Sequence, residues 1–265
     1  MGALVELHGK AGRVCPQGQS GEIRCPCIVR TTSEDVLTGE VFGQLHHIRP
    51  HLWLGPLLDI GTGTRSHRQV WYKKFQMRFW ERQERFPSEL LKFKEGRSEP
   101  DIIIEFENPA TTIFIEAKYT SPLAECTTHS DQNDQVLRGI RTLLTTTGHI
   151  QPNRLFKFPR RTPIWLALLA YKPEKLVDRY KNPRHLAGEL TGIVSQDDFP
   201  TETFVGTITW RDISKVLMDR VDQMTPFERS ITHELVRYIE HKMAFASRWD
   251  SDSNVHGNAP RFSGM

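Results

Sequence analysis

Asp101-Ile102-Ile103-Ile104-Glu105-Phe106, Glu107-Asn108-Pro109-Ala110, and then Thr112-Ile113-Phe114-Ile115-Glu116-Ala117-Lys118-Tyr119: these residues decide the fold. The outer runs are β-branched and apolar, which suits strands. The residues between them are turn formers. The stretch reads as a β-hairpin with a loop of four or five residues. With the turn centred near Asn108-Pro109, paired positions sum to roughly 217, so Asp101 lies opposite Glu116 or Ala117. Side chains alternate along a strand, so Glu116 and Lys118 share one face and Ala117 takes the other. Two carboxylates and an ammonium therefore converge at the ends of neighbouring strands.

Such a cluster needs a chemical reason. Two carboxylates held close repel unless a cation sits between them. Mg²⁺, with Mn²⁺ as a substitute, prefers oxygen ligands and keeps several waters. Asp101, Glu116 and the Ala117 backbone carbonyl would make an adequate site for it. The ion would acidify a bound water and stabilise charge on a phosphate oxygen. Lys118 is placed to orient or deprotonate that water and to steady the developing charge. Phosphodiester hydrolysis is the reaction this set serves best. The plainer reading is a cross-strand ion pair on a solvated face. The apolar residues flanking all three favour a cleft.

Around the hairpin the chain alternates strands and helices. A helix is expected from Glu34 to about His47, with Glu34 and Asp35 in its first turn, where acids favour the helix dipole. Pro50 to Gly63 reads as a loop, because Gly61-Thr62-Gly63 breaks regular structure. Phe75 to Trp80 alternates apolar and polar residues and reads as a strand, although Trp71, Phe75 and Phe79 also stand at helical spacing. A helix over Asp134–Thr145 follows the hairpin. Ile164–Tyr171 is a continuous apolar run, the mark of a strand buried on both faces. A further strand is expected over Phe204–Trp210. Thr225-Pro226-Phe227-Glu228 combines a capping box with Pro at the first helical position, starting a helix to about Ser247. These elements predict a three-layer α/β/α domain with a mixed central sheet. The expected division is an N-terminal arm and first helix over 1–60, a core domain over 61–247, and a loose tail over 248–265.

The match of Pro100-Asp101, a hairpin, and Glu116-Ala117-Lys118 after the apolar strand Ile113-Phe114-Ile115 resembles the PD-(D/E)XK nuclease superfamily, the restriction endonuclease-like enzymes. The resemblance covers about Phe75 to Tyr171. It implies a restriction-endonuclease-like core, Asp101 and Glu116 as metal ligands, and Lys118 as the catalytic lysine. It also implies an acid from an N-terminal helix near the metal, with Glu34 the candidate and Asp35 the runner-up; a helix-capping charge is the plainer role for Glu34. A Gln on the helix after the motif strand is expected, and Gln135 fits, with Arg138 as a phosphate contact. The chain lacks a Q-x-x-x-Y pattern, since the residue four after Gln135 is Gly139. The context the superfamily suggests is host defence or a mobile element, with DNA as the partner and a homodimer admitted.

Bulk properties agree with that class without demanding it. The 265 residues are 38% hydrophobic and 25% charged, with a net charge of +3, an ordinary globular balance. Arg65 to Arg97 holds ten Lys or Arg against four Glu, and Arg154, Lys157, Arg160 and Arg161 form a second basic cluster. Lys73, Lys74, Arg78, Arg97, Arg160 and Arg161 are the expected nucleic-acid contacts. No apolar run is long enough for a membrane span and no signal-like segment opens the chain, so a cytoplasmic location is expected. Cys15, Cys25, Cys27 and Cys126 read as free thiols, because the C-x-C spacing lacks an evident fourth zinc ligand. Pro50 breaks any helical pairing of His46, His47 and His51, and His233-Glu234 lacks the second His of a zinc protease motif. Two rivals remain: a catalytically silent module of the same fold that binds nucleic acid or protein, and an RNA-directed nuclease.

Overall fold

The hairpin folds in the register its sequence implies. In a computed structural model, Ile102–Glu107 (β2) pairs antiparallel with Thr111–Ala117 (β3), and the partners Ile102↔Ile115 through Phe106↔Thr111 all sum to 217. The turn is tighter than expected, with three residues, Asn108 to Ala110, between the strands; Asn108 takes a positive φ of 61°. The structure describes residues 34–64, 72–83, 98–125, 134–150, 160–171, 175–194, 199–200 and 204–255. The four cysteines, Trp71, Arg97 and the other residues outside those ranges are not described.

Lys73–Phe79 (β1) adds antiparallel to β2, with an irregularity between Lys73 and Gln76. On the other side, Thr162–Leu169 (β4) runs parallel to β3, and Val205–Thr209 (β5) parallel to β4. The result is a mixed five-stranded sheet in sequence order, β1-β2-β3-β4-β5. Because strand side chains alternate, this sheet feeds two separate cores. Ile102, Ile104, Ile113, Ile115, Leu166, Leu168 and Ile208 point to one face. There they meet Glu34–Leu45 (α1), Pro50–Thr62 (α2), Trp210–Met218 (α6) and Pro226–Val255 (α7). Ile103, Phe114, Trp165, Ala167 and Val205 point to the other, under Gln135–Thr146 (α3), Lys175–Tyr180 (α4) and Pro183–Glu189 (α5). Helices thus cover both faces of the sheet. None of the described helices is long and apolar enough to cross a membrane.

Pro50–Gly63, expected as a loop, is the helix α2, and the boundary expected at 60/61 falls inside it. Pro50 sits at the start, where its missing N–H costs nothing, and Gly63 ends the helix in the left-handed conformation with φ 73°. Gly61 is a packing residue. A Cβ on Gly206 of β5 would lie 1.9 Å from the Gly61 carbonyl oxygen, so the two glycines let helix and strand backbones touch. Burial of Leu52, Trp53, Leu57 and Leu58 outweighs the cost of Pro56 inside the helix. At the other end of the chain, α7 continues past Ser247 to Val255, into the segment expected as a tail.

The expected capping box at α7 forms: the Thr225 amide donates to Glu228 at 2.8 Å and the Glu228 amide to Thr225 Oγ1 at 3.3 Å. Glu228 carries more than a cap, because Arg49 donates its backbone amide and its guanidinium to the same carboxylate. That pair ties the start of α2 to the start of α7.

Candidate functional site

At the C-terminal end of β3 the alternation puts Glu116 on the face of Ile103 and Phe114, which α3 covers; Asp101 stands just before β2 and Lys118 just after β3 at the same end of the sheet. Asp101 lies one residue before β2, and its Oδ2 accepts the Ala117 amide at 2.8 Å. That bond docks the acid against the end of β3. Lys118 leaves the strand and is held from two sides, 3.0 Å from Glu116 Oε1 and 3.1 Å from Glu34 Oε1. Exposure is low throughout: 9% for Asp101, and 12%, 16% and 25% for the side chains of Lys118, Glu116 and Glu34.

Glu34 comes from the first turn of α1, 84 residues before Lys118. Its second oxygen accepts the Tyr119 amide at 3.0 Å and the Ser121 hydroxyl at 3.1 Å. The carboxylate expected at a metal thus holds the lysine and the backbone after it. Gln135 opens α3 beside Asp134, whose side chain caps the helix by accepting from Leu137 N at 2.8 Å. From that position Gln135 donates through Nε2 to Glu116 Oε1 and accepts the Ala124 amide at 3.2 Å. Arg138 stands one turn later; its charge reaches Glu116, and its Nε is buried with no hydrogen-bond partner among the described residues. Gly139, where a Q-x-x-x-Y tyrosine would stand, leaves room for the Trp165 indole, whose Nε1 would lie 2.5 Å from an added Cβ.

The electrostatics follow from this crowding. Burial, then repulsion from Glu116, pushes the Asp101 carboxyl well above the ordinary range. Burial also raises Glu116, against the pull of Lys118. Burial alone would lower Lys118, yet the attraction of Glu116, Glu34 and Asp101 outweighs it and holds the ammonium above its usual value. Lys118 therefore stays protonated at neutral pH.

The basic residues expected on nucleic acid are placed differently. Arg161 turns inward at the far end of the hairpin. It donates to Thr112 Oγ1, Glu107 Oε1 and the carbonyls of Phe106 and Thr111, each at 2.9 Å. Lys73 and Lys74 are exposed at that same end of β1, and exposed Arg160 precedes β4 there. This end is about 20 Å along the strand from Ala117. Arg78 is ion-paired with Glu81 and Glu105. One partner of the site escapes sequence reasoning: Trp210, at the start of α6, donates its indole N–H to the Lys118 carbonyl at 3.1 Å. A buried Trp needs an acceptor, but nothing in the sequence points to which one.

Whether the donors suit a divalent metal can be judged from the side chains. Among the described residues no three His, Cys, Asp or Glu side chains form a ready-made metal cluster. Two buried carboxylates that repel each other across adjacent strands are a hard-oxygen set short of positive charge. That suits Mg²⁺, which takes one or two carboxylates and fills its remaining positions with water and substrate oxygens. Comparison with known proteins gives no support from kinship: no family model, curated protein or solved structure matches the chain.

Proposed function

We propose that the protein is a Mg²⁺-dependent nuclease of the PD-(D/E)XK type, hydrolysing phosphodiester bonds in DNA. The observation that carries the reading is the convergence of Asp101, Glu116 and Lys118 at one end of the sheet, with Glu34 and Gln135 arriving from separate helices.

Asp101 and Glu116, with the Ala117 carbonyl, would hold the metal. When bound, Mg²⁺ acidifies a water and neutralises charge on the phosphate. The chain's own residues then have distinct tasks. The Ala117 amide aims the Asp101 carboxylate. Gln135 fixes the rotamer of Glu116. Lys118, held protonated, donates to the oxygen on which charge accumulates and orients the attacking water; its raised pKa suits it poorly to act as a base. Glu34 sets where the ammonium sits. Arg138, with its buried unpartnered nitrogen beside Glu116, supplies a second cation for the phosphate. Lys73, Lys74 and Arg160, at the far end of the sheet, would contact the backbone at a distance and position the duplex without touching the cut.

The test is incubation of supercoiled plasmid with Mg²⁺ or Mn²⁺. Wild type nicks or linearises it, and Lys118→Ala does not. Labelled RNA run beside DNA decides the polymer. A wild type inert on both with either metal would leave a binding module as the reading.

A further inference from the structure

Among the described residues, the rim of the sheet beside the site presents one exposed aromatic ring, that of Tyr171. Ala117 pairs with Leu168, so Lys118 leaves β3 at the end of the sheet where β4 also stops, at Leu169, and Tyr171 follows two residues after that stop. Tyr171 is 42% exposed. Its phenol is close enough to that of Tyr119, the residue after Lys118, to influence its titration. The two tyrosines are used differently. Tyr119 is buried and donates its hydroxyl to the Lys242 carbonyl at 2.6 Å, locking the end of β3 to α7. Tyr171 packs into neither core. Trp80, on the opposite flank next to Asp101, is only 9% exposed, and its amide donates to the Asp101 carbonyl at 3.1 Å.

An aromatic left in water costs hydrophobic stabilisation that burial would return. Every nucleobase has a flat face of matching chemistry, and aromatic stacking is how proteins hold unpaired bases without reading sequence. We propose that Tyr171 stacks on a base of the strand being cut, so that the site takes DNA whose bases are unpaired next to the scissile phosphate. This rests on the nuclease reading for the identity of the polymer. A base inside an intact duplex has both faces covered by its neighbours, so a frayed end, a flap or a single strand is the substrate class that satisfies Tyr171.

The experiment measures binding by fluorescence anisotropy in EDTA, where metal-dependent cleavage cannot occur. The full chain is titrated against a labelled single strand, a forked duplex and a blunt duplex. Wild type is expected to prefer the single strand and the fork. Tyr171→Ala should weaken both by about tenfold, the lower part of the range for one stacked base, and leave the blunt duplex unchanged. Tyr171→Phe and Tyr171→Trp should keep the preference, because they keep the ring. Circular dichroism checks that the variants are folded. Equal binding of Tyr171→Ala and wild type to all three probes would overturn the proposal, as would an equal loss on all three. Failure of the nuclease reading shows separately, as wild type that binds through Tyr171 yet leaves DNA intact when Mg²⁺ is added.

Discussion

The two ends of the β2–β3 hairpin hold similar numbers of charges and treat them in opposite ways. At the turn, Arg161 makes four hydrogen bonds to one carboxylate, one hydroxyl and two carbonyls. Each partner it meets is an acceptor, so the guanidinium is satisfied. At the strand ends, three carboxylates crowd one ammonium, and both Asp101 and Glu116 are pushed toward their neutral forms. One end resembles a structural clasp. The other stores unfavourable electrostatics, which a fold tolerates mainly where function requires it. The contrast separates residues that keep the protein folded from residues that would do chemistry, although sequence composition treats the two groups alike.

Mutations should divide along that line. The largest effect expected is on cleavage. Lys118→Ala should reduce the rate of plasmid nicking per folded molecule by about a thousandfold, the upper value for loss of one charge-stabilising donor, and should also cost stability, because Glu116 and Glu34 lose their cation. Arg161→Ala should affect stability alone. It removes four hydrogen bonds to part-buried acceptors and should cost about 3 kcal/mol of stability in denaturant titration, while cleavage per folded molecule is retained. An Arg161→Ala protein that lost cleavage per folded molecule would erase the distinction.

Acid titration sharpens the comparison, because the Arg49–Glu228 pair behaves as a second clasp. Burial would raise Glu228, but the bonds from Arg49 and Thr225 overcome it and hold the carboxyl at about 2, below its ordinary 4.5. A depressed carboxylate contributes stability that is present above its unfolded pKa and lost as pH falls through the folded value. Wild type should therefore lose on the order of 2–3 kcal/mol from this pair between pH 4.5 and 2. Glu228→Gln should lack that component at every pH, as followed by equilibrium unfolding.

Asp101 should show the opposite sign. Its pKa is raised in the fold, so ionising it costs stability that is absent below the unfolded pKa, near 4, and grows as pH climbs from there. Asp101→Asn keeps an acceptor for the Ala117 amide and removes the charge. It should stabilise the protein by about 1 kcal/mol at neutral pH, the smallest of these effects, while abolishing cleavage. Destabilisation by Asp101→Asn would mean that the carboxylate is a structural group like Glu228.

The hairpin was legible because each signal agreed: two β-branched runs, turn formers between them, and a register that a single turn position determines. Alternation along β3 then placed Glu116 and Lys118 on one face without further information. Glu34 and Gln135 lie 82 and 19 residues from Glu116. They were expected through the resemblance, since no local spacing rule connects them to the strand. The helix α2 was hidden because Gly55, Pro56 and Gly61 look like breakers. Their reason is the touching backbones of Gly61 and Gly206, a contact between segments 145 residues apart. Arg161 was misleading for a related cause. A basic cluster shows that charge is present, but whether a guanidinium faces solvent or its own chain's carbonyls is decided by tertiary packing.

The most direct test is a crystal soaked in Mn²⁺, with anomalous scattering measured at the strand ends. The nuclease account predicts one strong peak bonded to oxygens of both Asp101 and Glu116, with Lys118 displaced from Glu116 toward the phosphate side. A peak elsewhere, or none with Lys118 still bridging Glu116 and Glu34, would contradict it.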